Sequence, residues 1–101
     1  MSIDHVAIVV ADIDASVNWY IKNFNACVDY QDDTWAMLKL GESKLALTLP
    51  DLHPAHIAIQ VPSLESFPEG SEVKTHRDGS LYTYIKDLDK NIIEYIYYES
   101  D

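Results

Sequence analysis

The sequence predicts an α+β domain of two related β-α-β-β-β modules, the second one abbreviated, and three observations carry that expectation. A short apolar motif occurs twice, about half a chain apart. One amphipathic helix pattern follows the first copy. Strand-like runs separated by turn residues fill most of the remainder. The two copies are His5-Val6-Ala7-Ile8-Val9-Val10 and His56-Ile57-Ala58-Ile59-Gln60-Val61, in which His, Ala, Ile and Val recur in one order. Two copies at half-length spacing read as two modules of the same plan. Both are rich in β-branched residues, which suits strands buried on both faces.

With 101 residues, the chain fits a single domain over 1–101, with module 1 spanning about 1–50 and module 2 about 55–99. In module 1, Asp12 or Asp14 can cap a helix whose apolar stripe is Val17, Tyr20, Ile21 and Phe24, at i, i+3, i+4 and i+7. Three strand-like runs follow, Cys27–Gln31, Thr34–Leu40 and Lys44–Leu49, with Gly41 turning between the last two. The linker around Pro50 and Pro54 is too short to let two independent domains separate. In module 2 the repeated strand is followed by a segment between Pro62 and Pro68 that holds only a turn or two of helix. Glu72–His76 is a short strand, Asp78-Gly79 signals a hairpin, and Leu81–Lys86 and Asn91–Tyr98 pair beyond it.

Charge narrows the function classes. The formal net charge is −10, and the seven Lys and Arg side chains are scattered, so no basic stripe can follow a phosphate backbone. Nucleic acid and anionic membrane are excluded as partners on that ground, and the acidity reads as a solvated surface. Cys27 is the single cysteine, which suits a reducing compartment. No basic segment precedes an apolar one at the N-terminus, and no apolar run reaches the roughly 20 residues that span a bilayer, so the expected location is cytoplasmic.

The candidate site grows out of the repeat. Side chains alternate across a strand, so His5 shares a face with Ala7, and His56 shares a face with Ala58. Both alanines leave room beside the imidazoles, and approximate two-fold symmetry between modules would set the two histidines opposite each other. Glu94 lies in the middle of Ile92-Ile93-Glu94-Tyr95-Ile96-Tyr97-Tyr98, where an unpaired carboxylate would cost several kcal/mol or take up a proton. A cation held by two imidazoles removes that cost. Two His and one carboxylate with open positions suit one divalent ion such as Fe(II), Mn(II), Zn(II) or Ni(II), which acts as a Lewis acid on a substrate oxygen. His53, in the linker, reads as a surface residue. His76 borders the turn within reach of the pocket mouth and is not expected to ligate.

These residues resemble the vicinal oxygen chelate superfamily, which includes glyoxalase I, fosfomycin and bleomycin resistance proteins, extradiol dioxygenases and methylmalonyl-CoA epimerase. The resemblance runs from Ile3-Asp4-His5-Val6-Ala7-Ile8 and Trp19-Tyr20, through His56-Ile57-Ala58-Ile59, to Tyr84-Ile85-Lys86-Asp87-Leu88-Asp89-Lys90-Asn91-Ile92-Ile93-Glu94-Tyr95. That last stretch is similar to the family signature aromatic–x–x–Asp-Pro-Asp-Gly-Asn–x–x–Glu, with Leu88 for its Pro and Lys90 for its Gly, so Asn91 is expected to take a positive φ in the turn. The resemblance implies paired modules forming a cupped, incompletely closed mixed sheet, with His5, His56 and Glu94 as metal ligands. A fourth family ligand falls on Ala46, which cannot ligate. This departs from four-ligand glyoxalases and removes the acid–base carboxylate of glyoxalases and epimerases, while matching the three-ligand pattern of fosfomycin resistance proteins and dioxygenases.

The resemblance further implies a small oxygenated substrate chelated to the metal, with Tyr84 and Glu94 as catalytic groups and Tyr82, Tyr84, Ala46 and Thr48 lining the substrate. Thiol addition, lyase chemistry and ring cleavage all fit it. The alternative is a binder of the bleomycin-resistance type that sequesters a small molecule without metal. A third reading is a structural or regulatory domain with core histidines. Relatives of this size pair as homodimers, and a homodimer is expected here.

Overall fold

The structure, a computed structural model, describes residues 1–99. Two compact units divide the chain, one formed by His5–Ala55 and the other by Met1–Asp4 together with the chain from His56 onward.

The His5–Ala55 unit holds most of strand β1 (Ser2–Val9), helix α1 (Ile13–Phe24) and strands β2 (Cys27–Gln31), β3 (Trp35–Leu40) and β4 (Ser43–Thr48). Helix α1 starts where the sequence places it. Asp12 is the N-cap, and its carboxylate accepts from the Ala15 N–H at 2.9 Å. It stops at Asn25, which takes the left-handed conformation (φ 56°). The N–H of Asn25 then donates to the Ile21 carbonyl and that of Ala26 to the Tyr20 carbonyl, which satisfies two of the last carbonyls of the helix. The helix packs across β3, with β2 and β4 beside it. Its inward residues Ile13 and Val17 join Ala26, Ala36, Leu38 and Leu47 in the core of this unit, with Ile8, Tyr20 and Leu45 packed against it. Strand β1 runs parallel to β4, and β4–β3–β2 form an antiparallel run with a bulge between Val28 and Tyr30. In this register Ala7 pairs Ala46 on the face away from the helix, while Ile8 pairs Leu47 beneath it.

The second unit holds β5 (His56–Gln60), a single 3₁₀ turn (Leu64–Ser66), β6 (Lys74–Thr75), β7 (Leu81–Lys86) and β8 (Ile92–Tyr97). Its opening residues, Met1–Asp4, carry the start of β1, tied to the far end of the chain by the Tyr98 hydroxyl donating to Asp4 Oδ2 at 2.9 Å. Strand β5 lies parallel to β8, and β8–β7–β6 are antiparallel. The single mixed sheet has the order β2-β3-β4-β1-β5-β8-β7-β6 and does not close into a barrel. The β-α-β-β-β plan therefore holds in module 1. In module 2 a three-residue 3₁₀ turn stands where the helix would be, as the two prolines require. Phe67, 9% exposed, fills part of that role by setting its ring edge-on to Tyr95 at 5.9 Å.

Two expectations are corrected. The repeated strands are not buried on both faces: Val6 and Ile57, which point away from the histidines, are 37% and 39% exposed. The residue with positive φ before β8 is Lys90 (φ 69°), not Asn91. Asn91 serves the turn through hydrogen bonds. Asp87 Oδ1 accepts from the Asp89 and Asn91 N–H groups, both at 2.9 Å, and Oδ2 accepts from Asn91 Nδ2 at 3.0 Å. The asparagine is bound as an anchor, so the left-handed position falls one residue earlier, on the signature's glycine position. A β-carbon in that conformation costs about 1 kcal/mol. Lys90→Gly is expected to stabilise the fold by about that amount, raising Tm by roughly 4–8 °C for a domain of this size, measured by thermal denaturation followed by circular dichroism. An unchanged or lower Tm would contradict the strain.

Candidate metal centre

Glu94 sits at the centre of β8, opposite Ala58 of β5 on one side and Tyr84 of β7 on the other. This register decides which way it points. Ala58 shares the face of His56, and Tyr84 shares the face of Tyr82, so the carboxylate projects among these side chains and away from Phe67 and Tyr95. Ala58 is fully buried and small, which leaves the space that Glu94, 1% exposed, occupies.

Two imidazoles bracket the carboxylate. His56 Nε2 is 3.2 Å from Oε1, and His76 Nε2 is 2.5 Å from Oε2. Burial alone would push the Glu94 pKa up. Hydrogen bonds from His56 and His76, and their charge, outweigh burial and lower it to about 2. The carboxylate is thus an ionised acceptor, and the short bond to His76 requires that imidazole to present its Nε2–H as donor.

Tyrosines surround the pair. Tyr84 sets its ring edge-on to His56 at 5.2 Å and to Tyr82 at 5.5 Å. Burial, then the negative charge of Glu94, raises the Tyr84 hydroxyl above its ordinary value, so it keeps its proton and can donate a hydrogen bond. Tyr82 stacks flat on His76, with ring centroids 3.6 Å apart and planes 7° from parallel.

His5 lies on β1, 8% exposed, two residues before buried Ala7. One ligand atom from each of His5, His56 and Glu94 lies within 4.8 Å of the others, and all three residues are buried. Two neutral-capable imidazole nitrogens and an ionised carboxylate are the donors a first-row divalent ion takes, so the residues present fit such an ion. Ala46 is buried beside Ala7 on β4 and offers no ligating atom. Thr48 is buried two residues further on, its hydroxyl 3.5 Å from the Leu49 carbonyl.

The contact the sequence reading missed is His76 to Glu94. The signal was present in the Asp78-Gly79 turn. The Gly79 N–H donates to the His76 carbonyl at 3.0 Å, the His76 N–H donates to the Ser80 carbonyl at 2.8 Å, and β6 pairs with β7 as Lys74 with Tyr82. That hairpin carries His76 back over the Tyr82 ring. His53 is exposed in the linker, as expected.

The chain thus combines a mixed sheet with two histidines and a glutamate that are buried and could hold a metal ion. Residues 2–69 match the family model described as the Glyoxalase/Bleomycin resistance protein/Dioxygenase superfamily, and the chain belongs to that superfamily. No curated protein matches it by sequence. Solved structures are similar in fold. A hypothetical protein from Bacillus halodurans is 20% identical with a TM-score of 0.78, covering 99% of this chain and 96% of that one. Methylmalonyl-CoA epimerase from Mycobacterium tuberculosis is 19% identical with a TM-score of 0.74, covering 98% and 89%. A superfamily member from Vibrio splendidus is 13% identical with a TM-score of 0.70, covering 93% and 97%. Among the described residues no helix is long and apolar enough to cross a membrane.

The depressed Glu94 pKa sets a pH dependence. A carboxylate with a folded-state value below its unfolded value contributes stability that is present above the unfolded value and lost as pH falls through the folded one. In chelator-treated protein, Glu94 therefore contributes fully above pH 4.5, and its contribution fades as pH falls toward about 2. Acid titration followed by tryptophan fluorescence should show this loss in the native chain and a flatter profile for Glu94→Gln. Parallel profiles would contradict the assignment.

Proposed function

We propose that the protein is a divalent-metal-dependent enzyme that acts on a small oxygenated substrate chelated at His5, His56 and Glu94. The observation that carries this reading is the closeness of three buried ligand atoms from residues far apart in sequence. A purely structural core would gain more from apolar side chains of the same volume than from a buried carboxylate and two imidazoles. When bound, the ion would supply a Lewis acid for adjacent substrate oxygens.

The protein's own groups do the rest. Glu94 delivers a fixed negative charge. Tyr84, protonated and beside His56, donates a hydrogen bond to a substrate oxygen as negative charge develops there. Tyr82 packs along the same face, and Ala46 and Thr48 line the substrate from β4. Ala46 at the position of a fourth ligand removes a second acid–base carboxylate. The favoured reactions are those in which the substrate brings its own proton donor or nucleophile, such as thiol addition. The same alanine favours the second reading, a metal-free binder that sequesters a small molecule. A homodimer and a cytoplasmic location belong with the first proposal. Exposed Ile57 and Leu64, on a unit whose helix is reduced to one turn, support association.

The test is metal analysis of tag-free protein by inductively coupled plasma mass spectrometry. One ion per chain is expected in the native sequence, with at least tenfold less retained in His5→Ala and in Glu94→Gln. A native protein free of metal after growth in metal-supplemented medium, yet binding an aromatic ligand tightly, would replace this reading with the sequestering one.

A further inference from the structure

We propose that His76 is a positioning residue of this centre: its Nε2–H holds Oε2 of Glu94 and so leaves Oε1 as the single oxygen offered to a metal. The inference rests on the metal-centre reading above and adds to it a histidine outside the three-ligand set.

The geometry is specific. The two carboxylate oxygens meet different neighbours, Oε1 with His56 at 3.2 Å and Oε2 with His76 at 2.5 Å. The ligand atoms close to one another belong to His5, His56 and Glu94. His76 therefore touches the carboxylate without belonging to the ligand cluster. It is also the wetter of the two imidazoles, with its side chain 27% exposed against 5% for His56.

Its ring cannot swing freely. The backbone on either side is pinned in the β6–β7 hairpin by the bonds to Ser80 and Gly79, and the ring face lies flat on Tyr82 at 3.6 Å. A donor fixed in that way, on an acceptor-only carboxylate, sets the rotation of the carboxylate plane. Without it, a glutamate can turn to present both oxygens and bind an ion bidentately. Hydrogen-bond partners that orient metal ligands typically contribute roughly 10–100-fold to affinity.

The stack and the hydrogen bond can be separated. His76→Phe retains a ring for Tyr82 and removes the donor. His76→Gln removes the ring and keeps an amide N–H at nearly the position of Nε2. His76→Asn carries an amide too short to reach. Co(II) is the probe, with affinity measured by competition against a chromophoric chelator and coordination read from visible absorption. His76→Phe and His76→Asn are expected to bind Co(II) roughly 10–100-fold more weakly than the native protein, with weaker visible bands as the coordination number rises. His76→Gln should fall within a few-fold of native and keep the native spectrum. If Phe fails to fold by circular dichroism, the contrast between Gln and Asn decides alone. Native affinity and spectrum in the Phe or Asn variant would overturn the inference and leave the metal centre intact. A native protein that binds no Co(II) would overturn both.

Discussion

Everything at the centre of this molecule follows from one buried carboxylate. A charged oxygen pair at 1% exposure, flanked in sequence by isoleucine and tyrosine, is unstable unless partners surround it. The chain meets that requirement with one imidazole from β5 and one from the turn that follows β6, and with a protonated tyrosine alongside. The requirement also fixes the register of β7, β8 and β5, because a shift by one residue would exchange Glu94 for Ile93 or Tyr95 on the polar face. The Asp87–Asn91 turn, with its carboxylate collecting three hydrogen bonds, holds that register despite lacking the proline and glycine of the family signature.

Much of this was legible in the sequence, for identifiable reasons. The repeated His-x-Ala-Ile motif located two strands, and alternation alone put each histidine on the same face as its small alanine. Helix α1 was legible from its cap and stripe because both signals are local. Strands β2 and β7 fell on the predicted residues, while β6 shrank from five predicted residues to Lys74–Thr75. What alternation could not show was burial of the opposite face. Val6 and Ile57 look like core residues in sequence, yet the helix that would cover Ile57 is absent from module 2.

The role of His76 was hidden for a different reason. Its place depends on a hairpin whose strands are short, and on an aromatic stack that no spacing rule encodes. Lys90 illustrates the same limit. Asparagine is the better left-handed residue by intrinsic preference, but hydrogen bonding to Asp87 claims Asn91 and moves the strained dihedral to its neighbour. In both places a contact between side chains overrode a local preference.

Strand β1 has its own consequence for how the chain assembles. Residues from His5 through Ala55 form one continuous stretch, in which the parallel β1–β4 pairing joins residues 39 apart, as Val6 with Leu45. Asp4 and its predecessors instead belong with the unit that resumes at His56, and the Tyr98–Asp4 bond closes a loop between residues 94 apart in sequence. Closing so long a loop is entropically slow. The second unit should therefore be the late step in folding, with its rate governed by the return of the final strand to the first.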